Sequence, residues 1–139
     1  MDYRERVLES FRNQGIMQTF NAEITETGKG ICKITMPFDK KFTQQNGFFH
    51  GGVVSTLADS ASGYAAYTLM EEGSSVLTIE FKVNFIAAAD GEKLIAIGKV
   101  IKSGKTLSVC HADVFTVKNE ITTLCATAQL TMMQLLKRD

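Results

Sequence analysis

Twenty consecutive positions, residues 51–70 with the sequence GGVVSTLADSASGYAAYTLM, carry a single charged side chain, that of Asp59. A segment of that length approaches the roughly 20 residues that span a bilayer. It nevertheless contains Ser55, Thr56, Ser60, Ser62 and several glycines, and it lacks basic flanks. A helix enclosed by protein explains it better, and a helix apolar around most of its circumference must be covered on nearly every side. Either one sheet curls around it or a second subunit covers what the sheet leaves open.

The flanking segments can supply that cover. Tyr3, Val7, Leu8 and Phe11 recur at helical spacing among charged residues, and Gly15 follows where a short amphipathic helix would end. Polar and apolar residues alternate over residues 19–25 and 31–36 around Thr27-Gly28-Lys29-Gly30, which predicts a hairpin. Pro37, the only proline, opens an irregular stretch that closes at Asn46-Gly47. The long helix is expected from His50 to about Met70, ended by Glu71-Glu72-Gly73. Leu77, Ile79, Phe81, Val83 and Phe85 then alternate with polar residues as a half-buried strand does. Asp90-Gly91, Ser103-Gly104 and Lys118-Asn119 punctuate three further strands near 93–102, 105–117 and 121–133, which predicts a four-strand antiparallel meander. The order makes an α+β architecture, an antiparallel sheet wrapped around a long central helix with a short N-terminal helix. At 139 residues the chain fits one domain spanning residues 1–139.

Composition excludes several classes of partner. Fifteen Lys and Arg balance fifteen Asp and Glu, so no net field attracts nucleic acid or an anionic membrane. Cys32, Cys110 and Cys125 are odd in number and widely spaced, which fits neither a disulfide framework nor a metal site. His111, beside Cys110 in an expected strand, has no second ligand at suitable spacing and reads as a strand histidine with a local partner. The opening MDYRERVLES is charged where a secretory signal is apolar. A cytoplasmic protein without metal or cofactor is expected.

The chemistry concentrates in Gln44-Gln45-Asn46-Gly47-Phe48-Phe49-His50-Gly51-Gly52 and the helix that follows. Two glycines at a helix start let a ligand approach the backbone, and the free amides there suit a carbonyl oxygen or oxyanion. Burying a carboxylate without a partner is costly, so Asp59 is either a satisfied core residue or a functional one. The glycine-led helix start favours function. Gly52 and Asp59 are seven residues apart, about 10 Å along a helix. One chain cannot easily bring both to one carbonyl, whereas two antiparallel copies can, which implies an obligate dimer with composite sites.

HGGVVSTLADSASGYAAYTL resembles the signature of the PaaI-like branch of hotdog acyl-CoA thioesterases, in the 4-hydroxybenzoyl-CoA thioesterase superfamily. The likeness runs from the Gln-Gln-Asn-Gly loop through Gly104, and the strand order fits to the end. Its specific part is His50-Gly51-Gly52 with an Asp nine residues after the His.

The resemblance implies a hotdog fold and hydrolysis of an acyl- or aryl-CoA, with coenzyme A as part of the substrate. It also implies a homotetramer built as a dimer of dimers. Asp59 matches the catalytic carboxylate, as nucleophile or as general base. Gly51 and Gly52 match the carbonyl-polarising helix start, and His50 the His beside it, expected to donate hydrogen bonds that fix the loop. Thr78 matches a hydroxyl residue that positions the attacking water. Many relatives carry Asn where this chain has Gln44; a Gln amide can still donate to the thioester carbonyl, and Gln45 and Asn46 are near enough to serve instead. Lys102, Ser103, Gly104, Lys105 and Thr106 fall where relatives meet coenzyme A, although a basic turn is also an ordinary solvated feature.

Phe48 and Phe49, with Tyr64, Tyr67 and Met70, suit core packing with at most a share in substrate shape. Two competing readings are a non-catalytic acyl-CoA-binding module, which has no reason to bury Asp59, and a dehydratase or hydratase, which needs an imidazole base inside the site.

Overall fold

The computed structural model describes residues 1–137. Two helices come first, α1 (Tyr3–Arg12) and α2 (Gly15–Thr19), followed by the hairpin β1 (Glu23–Gly28) and β2 (Ile31–Pro37). A 3-10 turn (Lys40–Phe42) leads to α3 (Gly51–Tyr67), and then come β3 (Ser75–Phe85), β4 (Lys93–Ser103), β5 (Leu107–Lys118) and β6 (Ile121–Leu135). The six strands form one antiparallel sheet in the order β1-β2-β4-β5-β6-β3, with α3 packed across one face. This is the α+β hotdog arrangement.

Two expectations need correction. The first helix ends at Arg12, ahead of Gly15 as expected, but Gly15 opens a second short helix, α2, and the first strand begins at Glu23 rather than near residue 19. Nor is there a four-strand meander. β3 pairs with β6 at the far edge, so residues 86–92 cross the end of the sheet to reach β4. The crossing is pinned by Ile86 N–H donating to Cys125 O at 2.9 Å and Glu92 N–H to Val117 O at 2.8 Å. Gly91 passes so close to β5 that an added Cβ would lie 2.6 Å from Val117 O. The Asp90-Gly91 pair therefore serves a close backbone crossing, not a hairpin turn.

The core is the layer between α3 and the sheet. β4 and β5 alternate strictly, so that Leu94, Ala96, Cys110, Ala112 and Val114 are buried, and from β6 Leu130 and Met132 join them. On α3, Val54, Leu57, Ala58 and Ala61 face this layer. α1 covers part of the opposite side through Val7 and Phe11, whose ring meets Tyr64 edge-on at 5.9 Å. The edge beyond β3 stays uncovered: Leu77, Ile79, Phe81 and Phe85 are 50, 52, 46 and 55 % exposed.

The closest approach of helix and sheet is at Gly98 of β4, where an added Cβ would lie 2.5 Å from the Ala61 carbonyl. Ser62, beside it, is fully buried, and its Oγ finds no hydrogen-bond partner among the described residues. Two substitutions at this contact should have opposite signs. Gly98→Ala forces helix and sheet apart and should cost about 1–3 kcal/mol. Ser62→Ala removes an unpaired buried hydroxyl and should leave stability unchanged or raise it by about 1 kcal/mol. Equilibrium denaturant unfolding of both variants checks the pair.

Candidate active site

The first turn of α3 shows which amide is free. A helix start leaves its first amides without intrahelical acceptors. Val53 and Val54 N–H both donate to His50 O, at 2.9 and 3.1 Å, and Gly52 N–H donates to His50 Nδ1 at 2.8 Å. His50 is thus the N-cap, and its ring accepts rather than donates. That corrects the expected direction of its hydrogen bond and puts any ring proton of the neutral form on Nε2. The Gly51 amide meets no acceptor among the described residues and is the one available to a ligand.

The loop before the helix holds Gln44 next to that amide. Gln44 N–H donates to Phe48 O at 2.9 Å, Gly47 N–H returns to Gln44 O at 3.0 Å, and Gly47 adopts a left-handed φ of 83°. The Gln44 side-chain carbonyl accepts from the Asn46 amide, and its NH2 group has no partner among the described residues. Phe49 N–H donates to Ala89 O at 2.9 Å, so the sheet crossing anchors the loop. Gln44, Phe48, Gly51 and Phe85 line one cavity of about 230 Å³. Gln45 and Asn46 are exposed at the loop tip, outside that lining.

Asp59 lies farther along α3, half-buried, in a separate cavity of about 380 Å³. Its Oδ1 accepts from Thr78 Oγ1 at 2.5 Å. Thr78 stands on β3 next to the register shift at Ile79, and such a bulge re-aims neighbouring side chains. Burial raises the Asp59 pKa above the ordinary aspartate value, and the Thr78 hydrogen bond opposes part of that rise. The hydroxyl expected near attacking water thus stands beside the Asp59 carboxylate, to which it donates.

The two cavities share no residue. Within one chain, then, the free amide and the carboxylate lie in separate cavities. The turn with Lys102, Ser103, Gly104, Lys105 and Thr106 is fully exposed and lies at the other end of α3 from Gly51. Gln134 ties it there, accepting from Glu71 N–H at 2.8 Å and donating to Lys105 O at 3.1 Å.

Other candidate nucleophiles are quiet. Burial pushes the Cys32 thiol up to about 12 and those of Cys110 and Cys125 to about 11, so all three stay protonated near neutral pH. His111 sits on the sheet face turned away from α3, with Nε2 2.9 Å from Asp113 Oδ1, the local partner expected of it.

Residues 46–123, more than half of the chain, match the family model described as thioesterase superfamily. The chain belongs to the thioesterase superfamily. A solved thioesterase family protein from Silicibacter pomeroyi is 43 % identical, with a TM-score of 0.96 over 97 % of this chain and 99 % of that one. A thioesterase from Haemophilus influenzae follows at 26 % identity and TM-score 0.82, covering 93 % and 88 % of the two chains. Among characterised names, a 1,4-dihydroxy-2-naphthoyl-CoA hydrolase from Listeria monocytogenes is 28 % identical over 68 % of this chain and 77 % of its own. This thioesterase has no helix among its described residues that is long and apolar enough to cross a membrane.

Sequence reasoning missed several neighbours of the thioesterase carboxylate: Ser10, Gln14, Ser60 and Gly63 line the same cavity as Asp59. Ser60 and Gly63 could have been found from helical spacing, since Gly63 is one turn beyond Asp59. Nothing local marks Ser10 or Gln14, because their approach depends on how α1 and α2 fold back.

Because the folded chain holds the Asp59 proton more tightly than the unfolded chain, it binds more protons between the two pKa values, and stability falls as pH rises through that window. Asp59→Asn keeps an acceptor for Thr78 and removes the titration. The variant should melt higher than wild type at neutral pH, with the gap closing as pH drops toward the ordinary aspartate value. Thermal unfolding across pH 3 to 8 tests this, and a lower midpoint for the variant at neutral pH contradicts it.

Proposed function

We propose that the chain is a cytosolic acyl-CoA thioesterase that hydrolyses an acyl- or aryl-CoA to free acid and coenzyme A, using sites shared between two antiparallel protomers. The observation that carries this reading is the split of the site into a helix-start cavity and a carboxylate cavity on the same rigid helix. The relative named for a naphthoyl-CoA ester supports the substrate class.

β3 supports the pairing. It is an edge strand of 11 residues with one side unpaired and apolar side chains exposed along it, a ready template for a second copy. Antiparallel joining of two such edges lays the two α3 helices side by side in opposite directions. Each Asp59 then faces the other protomer's Gly51, and each turn at residues 102–106 comes near the other's helix start. Lys102 and Lys105 are there to meet the phosphates of coenzyme A. On the sheet face turned from α3, half-exposed Ile95, Ile97 and Phe115 suit association of two dimers into a tetramer.

At the composite site the Gly51 N–H, with the Gln44 NH2 group, polarises the thioester carbonyl and receives the charge that grows on its oxygen. The Asp59 carboxylate acts from the partner. Either it adds to the carbonyl carbon and expels the coenzyme A thiolate, leaving an anhydride that water cleaves, or it takes a proton from water that adds instead. Labelled-oxygen transfer into Asp59 during a single turnover separates the two routes.

Asp59→Asn should lower kcat on the order of 10²–10⁴-fold with assembly intact. Gln44→Ala should cost roughly tenfold, as for one lost hydrogen bond. Gly51→Val, which crowds the Phe85 ring, should also inactivate. Mixing and reassociating Asp59→Asn with Gly51→Val chains should restore about a quarter of wild-type activity, because each mixed dimer holds one intact composite site. No recovery places the whole site in one chain. Wild type that binds acyl-CoAs yet releases thiol from none of them is a binding module instead.

A further inference from the structure

We propose that the cavity behind Asp59 seats the acyl group of the substrate, that Gly63 sets its depth, and that Gln14 selects acyl groups carrying a polar substituent. This rests on the thioesterase reading above and goes beyond it in naming the acyl class. At about 380 Å³ the cavity has ample room, since an apolar void of about 150 Å³ already accepts benzene. A short chain or a single ring fits.

Gly63 is the first piece of evidence. A glycine inside a helix weakens it relative to alanine. At Gly98 and Gly91 a close backbone approach explains the missing side chain, but a Cβ at Gly63 would meet nothing within 4 Å. No left-handed φ is involved either. Nothing in the packing of the chain requires glycine there. What the missing side chain provides is volume, one helical turn past Asp59 and in the same cavity.

Gln14 is the second. It occupies the N-cap position of α2 but makes no side-chain cap hydrogen bond. Its side chain turns instead toward α3, where Oε1 accepts from Ser60 Oγ at 2.7 Å and Nε2 donates to Tyr64 OH at 2.9 Å. Ser10 Oγ lies 3.2 Å from the same Tyr64 oxygen. The amide is thereby oriented at both ends, and it keeps one N–H and one lone pair unspent. Plain hydrocarbon against this wall would strand those groups without water. An acyl group with a hydroxyl or carbonyl near its far end would satisfy them. Gly63 lies one helical turn, about 6 Å of rise, beyond Asp59, so the substituent belongs several atoms beyond the thioester carbonyl.

The test uses the intact protein and follows thiol release from acetyl-CoA, hexanoyl-CoA and 6-hydroxyhexanoyl-CoA. Wild type should favour the hydroxylated six-carbon substrate over hexanoyl-CoA by about tenfold in kcat/KM, worth about 1.4 kcal/mol. Gln14→Leu, close in volume, should bring that ratio to about one. Gly63→Leu should lower the hexanoyl-to-acetyl ratio of kcat/KM at least about tenfold, and Gly63→Ala should raise the melting temperature while shifting the ratio in the same direction. If Gly63→Leu fails to fold, Gly63→Ala and Gln14→Leu decide the matter. Variants that hydrolyse all three substrates in wild-type ratios place the acyl group elsewhere and overturn the proposal, leaving the thioesterase reading intact. Wild type that releases no thiol from these or longer acyl-CoAs overturns that reading, and this proposal with it.

Discussion

Everything in the site is placed by how closely α3 lies against the sheet. The absence of a side chain at Gly98 lets the helix backbone at Ala61 and Ser62 rest directly on β4. From that position Asp59 reaches Thr78 across the gap to β3, at 2.5 Å. A helix displaced outward by one methyl group would lose that contact and set the carboxylate loose. The core is thus packed with small residues under the helix, Ala58, Ala61, Ala96 and Ala112, and filled farther out by Leu94, Leu130 and Met132. Tight packing of this kind transmits position, because a close-packed interior yields little to local strain.

The same rigidity keeps the free Gly51 amide and the Asp59 carboxylate in separate cavities. A straight helix cannot bend its own carboxylate back to its own first amide, that of Gly51, so the two remain about 12 Å apart along the helix axis. The fold compensates with an unsatisfied surface: the apolar, unpaired edge of β3 lies on the flank where Asp59 and Thr78 are open to solvent. The carboxylate that the proposed mechanism uses is next to the edge proposed to receive a second protomer. In the proposed dimer catalysis and assembly would draw on the same edge, whose charges are limited to Glu80 and Lys82 among exposed apolar side chains.

The sequence was legible where the signal is local. One charged side chain in twenty positions drew attention to Asp59, and His50-Gly51-Gly52 marked the helix start. Alternation located β4, β5 and β6 within a few residues. What stayed hidden depends on pairing between distant segments. Asp90-Gly91 reads as a hairpin turn, and only the position of β3 beyond β6 shows that it must cross the sheet end. Gly15 reads as a helix stop, yet the chain turns into α2 and carries Gln14 to Tyr64, 50 residues away. The direction of the His50 hydrogen bond was equally hidden, because both donating and accepting are open to a neutral imidazole until its neighbour is known.

The environment also selects which group can act. Cys125 lines the helix-start cavity and has the more reactive kind of side chain, but burial without a cationic partner holds it protonated. Asp59 is only half-buried, and one oxygen is held by Thr78. Burial raises its pKa, which favours it as a base, while the Thr78 hydrogen bond opposes part of that rise. A fully sequestered carboxylate would be neutral and inert, and a fully solvated one would be weaker. Partial cover from α1, α2 and β3 leaves Asp59 half-buried, and in the proposed dimer a second protomer would desolvate it further as the thioester carbonyl is held in place.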